Sequence, residues 1–273
     1  MLIGRKRNHR KQLMNEVNNT LFIPLYGKSY VSKKNIILND PKAEEIWESE
    51  AFPIRGKSKS KWLAYNMAMR ARVFDDWTEK MLESGDAVVL HIGCGLDSRC
   101  LRVKKKPSLW LDCDFEEVIE IRRRYYEETE HYRMRALDAS DSEAVRTLPE
   151  CDTAVVVLEG ISMYLSEEEL HSLFLALSKK YPCLHILMDV YTVFGAKASK
   201  FKNPVNEVGV TELYGYDDLE PLIRGTGLRI VQEHRFTRED LIRELSAQEQ
   251  KIFRLLFTGK MYRRIYRLYE FEK

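Results

Sequence analysis

The chain has 273 residues, 44% of them hydrophobic, enough to build one large domain or one domain with a smaller appendage. Its 44 basic and 42 acidic residues leave a net charge of +2, which gives no whole-chain argument for a nucleic-acid or membrane partner. No run of roughly eighteen apolar residues occurs, so no segment is expected to span a bilayer.

The N-terminus carries a basic cluster, Arg5, Lys6, Arg7, Arg10 and Lys11. No apolar stretch of about seven residues follows it, so it reads as a solvated tail and not as a secretory signal. Lys104 to Lys106 read in the same way, as a solvated turn. Residues 1–80 look helical and irregular, punctuated by Pro24, Gly27, Pro41, Pro53 and Gly56. Asp40-Pro41 starts a helix through Trp47, with Asp40 as the cap and proline tolerated at the first helical position. A second helix, from Lys59 to Ser84, carries Trp62, Leu63, Met67, Met69, Phe74, Trp77 and Leu82 at helical spacing, a stripe suited to core packing.

From residue 87 the pattern becomes an alternation. Ala87 to Ile92, Ser108 to Asp112, Tyr132 to Leu137, Thr153 to Leu158 and Leu184 to Met188 read as strands. Phe115 to Thr129, Asp141 to Thr147 and Ser166 to Lys180 read as helices, the last opened by the capping box Ser166-Glu-Glu-Glu169. Such alternation predicts an α/β chain with a parallel, doubly wound sheet buried on both faces. A loop-rich insertion follows Tyr191, then a helix over Asp217 to Arg224 and a sixth strand over Leu228 to Phe236. The tail Arg267 to Glu272 alternates and is expected to form a last, antiparallel edge strand. The five cysteines are odd in number and without CxxC spacing, which suits reduced core residues of a cytoplasmic protein. The six histidines show no metal-ligand spacing, and no metal is expected.

The sharpest local signal is His91-Ile-Gly93-Cys-Gly95-Leu-Asp97-Ser-Arg99, placed where the first buried strand gives way to a helix. Gly93 and Gly95 permit a sharp turn and let a ligand approach the backbone. The second strand ends in Asp112-Cys-Asp114, where a carboxylate can accept both hydroxyls of a nucleotide ribose. Together they describe an adenosine site at the sheet's C-terminal edge. The turn alone also nearly satisfies a dinucleotide fingerprint, so a nicotinamide-dependent oxidoreductase is the alternative. The fourth strand ends in Glu159-Gly-Ile-Ser-Met-Tyr-Leu165, which offers nothing for hydride chemistry.

These segments carry a resemblance. With Ile23-Pro-Leu-Tyr-Gly-Lys28, Asp40-Pro-Lys-Ala-Glu-Glu-Ile46, Arg70-Ala-Arg72-Val-Phe-Asp75 and Leu111-Asp-Cys-Asp114, the chain resembles the leucine carboxyl methyltransferase family, in its bacterial branch related to tetracenomycin-type polyketide O-methyltransferases. The likeness runs from Leu21 to the C-terminus. It implies a Rossmann-like class I methyltransferase fold with a helical N-terminal cap over residues 1–80 and a catalytic domain over 81–273, one integrated unit. It also implies S-adenosylmethionine (SAM) as cofactor and methyl transfer to an oxygen of a small molecule.

Roles follow from the matching positions. Gly93 and Gly95 would pass the methionine part of SAM, and Asp114 would hold the ribose, with Asp112 the nearby alternative. Asp138 and Ala139 would lie beside the adenine, and Glu159 against the methionine amino group. Arg72, or failing it Arg70, would pair with the methionine carboxylate through a forked bond. Lys28 is a further candidate for that carboxylate. Asp112 and Cys113 stand where the family usually has Glu and Val, and Phe115 where proline is common; these departures leave the cofactor site intact. No histidine falls at a matched catalytic position, so no general base is assigned; this favours an acceptor that is already ionised, such as a carboxylate, and leaves the hydroxyl of a polyketide-type phenol as the other acceptor.

Overall fold

The computed structural model describes residues 21–49, 56–202 and 213–273. The basic cluster at residues 5–11 and Pro53 lie outside the described residues. Val88–Ile92 (β1), Leu109–Asp114 (β2), Tyr132–Ala136 (β3), Thr153–Leu158 (β4) and Cys183–Tyr191 (β5) pair in parallel, with Arg229–His234 (β6) and Tyr266–Glu272 (β7) completing a seven-stranded sheet. The strand order is β3-β2-β1-β4-β5-β7-β6. β1 is buried along its whole length and β4 nearly so, because helices cover both faces of a parallel sheet. The chain order reverses between β1 and β4. That is where an open α/β sheet leaves a crevice at its carboxyl edge.

The tail strand is antiparallel, as its alternation suggested, but it is not at the edge. β7 inserts between β5 and β6, and β6 is the outer strand. The burial explains the placement: Leu268 and Phe271 have no exposure, whereas Ile230 and Val231 of β6 face solvent. A register shift between Ile230 and Gln232 interrupts that outer edge, which discourages pairing with another chain.

Phe22–Ser32 (α1), Pro41–Ser49 (α2) and Lys61–Glu83 (α3) form the N-terminal segment. Asp40 caps α2, its carboxylate accepting from the Ala43 N–H at 2.9 Å. Leu25, Ile46, Phe74 and Trp77 pack with Val89, Val155 and Val157 on one face of the sheet. Leu90, Val156 and Leu158 point to the other face, against Leu170 and Phe174 of Glu167–Lys180 (α6). The two helices between them are Arg99–Arg102 (α4) and Glu116–Arg122 (α5).

Several boundaries differ from expectation. α5 stops at Arg122 and not at Thr129, because Arg122 and Tyr126 turn inward to donate to the carbonyls of Gly95 (3.0 Å) and Leu96 (3.1 Å). Residues Ser142–Thr147 make a 3-10 turn, and the expected helix at 217–224 shortens to Glu220–Ile223. The region after Tyr191 holds a helix, Val193–Lys202, capped by the Thr192 hydroxyl accepting from Gly195 N–H at 2.9 Å. Three short helices, Glu239–Ile242, Ala247–Phe257 and Lys260–Arg263, fill the span before β7.

Candidate active site

At the carboxyl edge of the sheet lies a cavity of about 890 Å³. Gly93, Gly95, Asp114, Asp138, Ala139, Glu159, Lys28 and Arg70 all line it; Asp112 and Arg72 do not. Six separate stretches of sequence therefore converge on one space.

The glycine turn is built by β1 and held by β2. Gly93 and Cys94 donate to the Cys113 carbonyl at 2.8 and 3.1 Å. Gly93 and Gly95 have φ of 75° and 51°, the left-handed region that favours glycine. A Cβ on Gly93 would come within 2.0 Å of the Ile161 side chain, so no larger residue fits there.

Asp114 ends β2 with one carboxylate oxygen accepting from Gly95 N–H at 2.7 Å and the other from Phe115 N–H at 2.8 Å. A carboxylate has about four lone-pair sites, so accepting capacity remains for a diol. Burial pushes its pKa up to about 6, partly offset by the two backbone donors. Asp112 sits two residues back on the same face of the strand and never reaches the cavity. It is fully buried and accepts from Arg122, from Trp110 Nε1 (2.9 Å) and from Tyr132 OH (2.8 Å). Arg122 also holds the turn through the Gly95 carbonyl. Asp138 accepts from the backbone N–H and hydroxyl of Ser140 at 2.9 and 2.7 Å, so it shapes the loop that carries Ala139.

At the other end of the cavity, Glu159 accepts from Arg70 Nε at 3.0 Å and from Arg99. Burial would raise its pKa, but Arg99 and Arg70 outweigh that and hold it down to about 2. Arg70 also donates through Nη1 to Asp189 (3.0 Å) and to Tyr266 OH (2.8 Å). Three of its five N–H groups are thereby used, and both on Nη2 have no acceptor among the described residues. Arg72, two residues on and therefore about 200° around the helix, points away. It pairs with Asp76 at 2.8 Å and donates to the Ile37 carbonyl at 3.1 Å. Of the two arginines, Arg70 is therefore the one at the cavity wall, with Nη2 as its uncommitted nitrogen. Lys28, buried in α1, also lines the cavity and pairs with Asp97 at 2.7 Å.

The donor set suits SAM. Two cations face the space where a carboxylate would sit, Glu159 could accept from an ammonium, and Asp114 could accept from a ribose. Residues 5–178 match the leucine carboxyl methyltransferase family. The chain belongs to that family. It is a SAM-dependent methyltransferase, and the nicotinamide alternative falls away.

Among curated relatives, the tetracenomycin polyketide synthesis O-methyltransferase TcmP of Streptomyces glaucescens is 29% identical over 224 residues, covering 80% of this chain and 82% of that protein. The SAM-dependent methyltransferase dpfgK of Gibberella zeae is 31% identical over 172 residues, 56% of this chain and 58% of that protein. Among solved structures, magnesium protoporphyrin IX methyltransferase ChlM of Synechocystis with bound S-adenosylhomocysteine (SAH) aligns at TM-score 0.49 and 11% identity, over 80% of this chain and 90% of that one.

Four side chains in this region were not assigned roles from sequence. Arg99 was legible as the end of the glycine motif. Arg122, Asp189 and Tyr266 carried no local signal, because only the fold brings them to the site.

Proposed function

We propose that the protein transfers the methyl group of SAM to a carboxylate or hydroxyl oxygen of a small molecule, with a carboxylate favoured. The observation that supports this is the state of the bases at the cavity. His91 is the one histidine lining it among the described residues. Burial holds that imidazole neutral, and its Nε2 faces Arg99 at 3.2 Å. The lining carboxylates Asp97, Asp114, Asp138, Glu159 and Glu169 each already accept hydrogen bonds from the chain itself. Among the described residues, an acceptor that must lose a proton finds no unengaged histidine or carboxylate at the cavity, whereas a carboxylate acceptor arrives ionised.

In this reading Asp114 holds the ribose, Asp138 and Ala139 flank the adenine, and Glu159, Arg70 and Lys28 take the amino-acid end. When bound, SAM supplies a methyl carbon on a positively charged sulfur, which is electrophilic without further activation. The chain's part is to align an oxygen behind that carbon and keep water out, and positioning of this kind contributes roughly 7–11 kcal/mol. Tyr164, Tyr191, Tyr214, Phe257 and Tyr262 line the remaining wall, a surface for an apolar or aromatic acceptor. A polyketide-like metabolite fits it, in keeping with the relationship to TcmP. Residues 1–80 would act as the cover of this side on the catalytic unit of residues 81–273, in a cytoplasmic enzyme. No described helix is long and apolar enough to cross a membrane.

Methyl-labelled SAM offered with a panel of aromatic and aliphatic acids and phenols tests the reading. The label should pass to acids and be released as methanol by mild alkali, as from an ester. Label that withstands alkali on a phenol would move the acceptor to hydroxyl oxygen; label on nitrogen or carbon would contradict oxygen transfer.

A further inference from the structure

Arg70 reaches the cavity from the middle of a long helix, and its aim depends on what holds the guanidinium. Two of its three anchors lie 119 and 196 residues further along the chain. Asp189, near the end of β5, has no exposure, and Tyr266 opens β7 with 7% exposure. The antiparallel pairing sets Tyr191 opposite Tyr266, with rings 4.8 Å apart, and so brings the phenol to Asp189.

The hydrogen bonds there form a closed set. Tyr266 donates to one oxygen of Asp189 and accepts from Arg70 Nη1. The same oxygen of Asp189 accepts from Arg70 Nη1. The other accepts from Gly160 N–H at 2.7 Å. Gly160 has φ of 74°, and a Cβ there would lie 3.3 Å from Arg70 Nη2. One buried carboxylate therefore fixes both the arginine and the glycine that leaves it room. With Nε committed to Glu159, the only part of the guanidinium left for a ligand is Nη2.

We propose that Tyr266 and Asp189 are positioning residues for the cofactor's amino-acid end: they turn Arg70 so that Nη2 faces the methionine carboxylate. The inference rests on the assignment of that carboxylate to Arg70. Tyr266 is not a base for the acceptor, since its own O–H is spent on Asp189 and burial keeps the phenol protonated despite Arg70. The last strand of the sheet thus completes a site whose sequence motifs all lie in the first two-thirds of the chain.

Two ligands separate positioning from general support. SAH carries the amino-acid carboxylate, and 5′-methylthioadenosine keeps the adenosine and sulfur without it. Calorimetric dissociation constants for both should be measured on the full chain and on Tyr266→Phe, Asp189→Asn and Arg70→Ala. Tyr266→Phe and Asp189→Asn should weaken SAH about tenfold, the scale of one charge-assisted hydrogen bond, and leave methylthioadenosine within about twofold. Methylthioadenosine binding itself reports that each variant is folded. Equal weakening of both ligands, or of neither, would overturn the positioning role. Arg70→Ala that leaves the ratio of the two constants unchanged would instead remove the carboxylate assignment on which the inference rests.

Discussion

Asp112→Ala is expected to lose about 3–5 kcal/mol of stability, because it strands a buried charge. Arg122 has no exposure, and Asp112 is its only carboxylate partner among the described residues. Trp110 Nε1, Tyr132 OH and, at 3.2 Å, His91 Nδ1 would lose the same carboxylate. At roughly 2–4 °C per kcal/mol for a chain of this size, the melting temperature should drop on the order of 10 °C. Arg122 also grips the Gly95 carbonyl, so SAH affinity should fall only as a consequence of a loosened turn. Asp112→Asn keeps the shape and part of the bonding and should lose less. A variant that melts like the wild type but fails to bind SAH would place Asp112 in the cofactor site, the alternative that the sequence left open.

Asp114→Ala should behave in the opposite way. Among the described residues its carboxylate hydrogen-bonds only two backbone N–H groups, and it lines the cavity, so the fold should survive. Two charge-assisted hydrogen bonds to a ribose, each about 1.5–3 kcal/mol, would vanish, predicting a loss of a hundredfold or more in SAH affinity. The same residue sets a pH dependence. The accepting form is the carboxylate, and burial has pushed its pKa up to about 6. Affinity should be full above that value and decline as pH falls through it, to about tenfold weaker at pH 5. Asp114→Asn should flatten this decline. A wild-type profile that is level from pH 8 to pH 5 would remove Asp114 from the ribose.

What could be read from the sequence follows from burial. The central strands are legible because a parallel sheet covered on both faces must be apolar along its length, as β1 is. The glycine turn, Asp114 and Glu159 are legible because each ends a strand, and strand ends at the switch point face the crevice. Placing Arg72 before Arg70 has no physical ground in the sequence, since a helix places residues two apart on nearly opposite sides and both occur in the matched motif. Arg122 carries no such signal because arginine is rarely buried, and its burial depends on a charge partner, Asp112, that only the strand–helix contact supplies. Tyr266 and Asp189 are 77 residues apart, and only the pairing of β5 with β7 joins them. The edge position expected for the tail strand failed for a related reason: alternation fixes which residues of a strand face the core but not which neighbour it takes.

The claim that this cavity holds SAM is tested most directly by titrating SAH against the wild-type protein while following its melting temperature. A ligand bound only by the folded chain adds about 2.7 kcal/mol at a hundredfold excess over its dissociation constant. The melting temperature should therefore climb steadily with SAH and stay flat with NADH. A flat response to millimolar SAH, or a rise with NADH alone, would contradict the account.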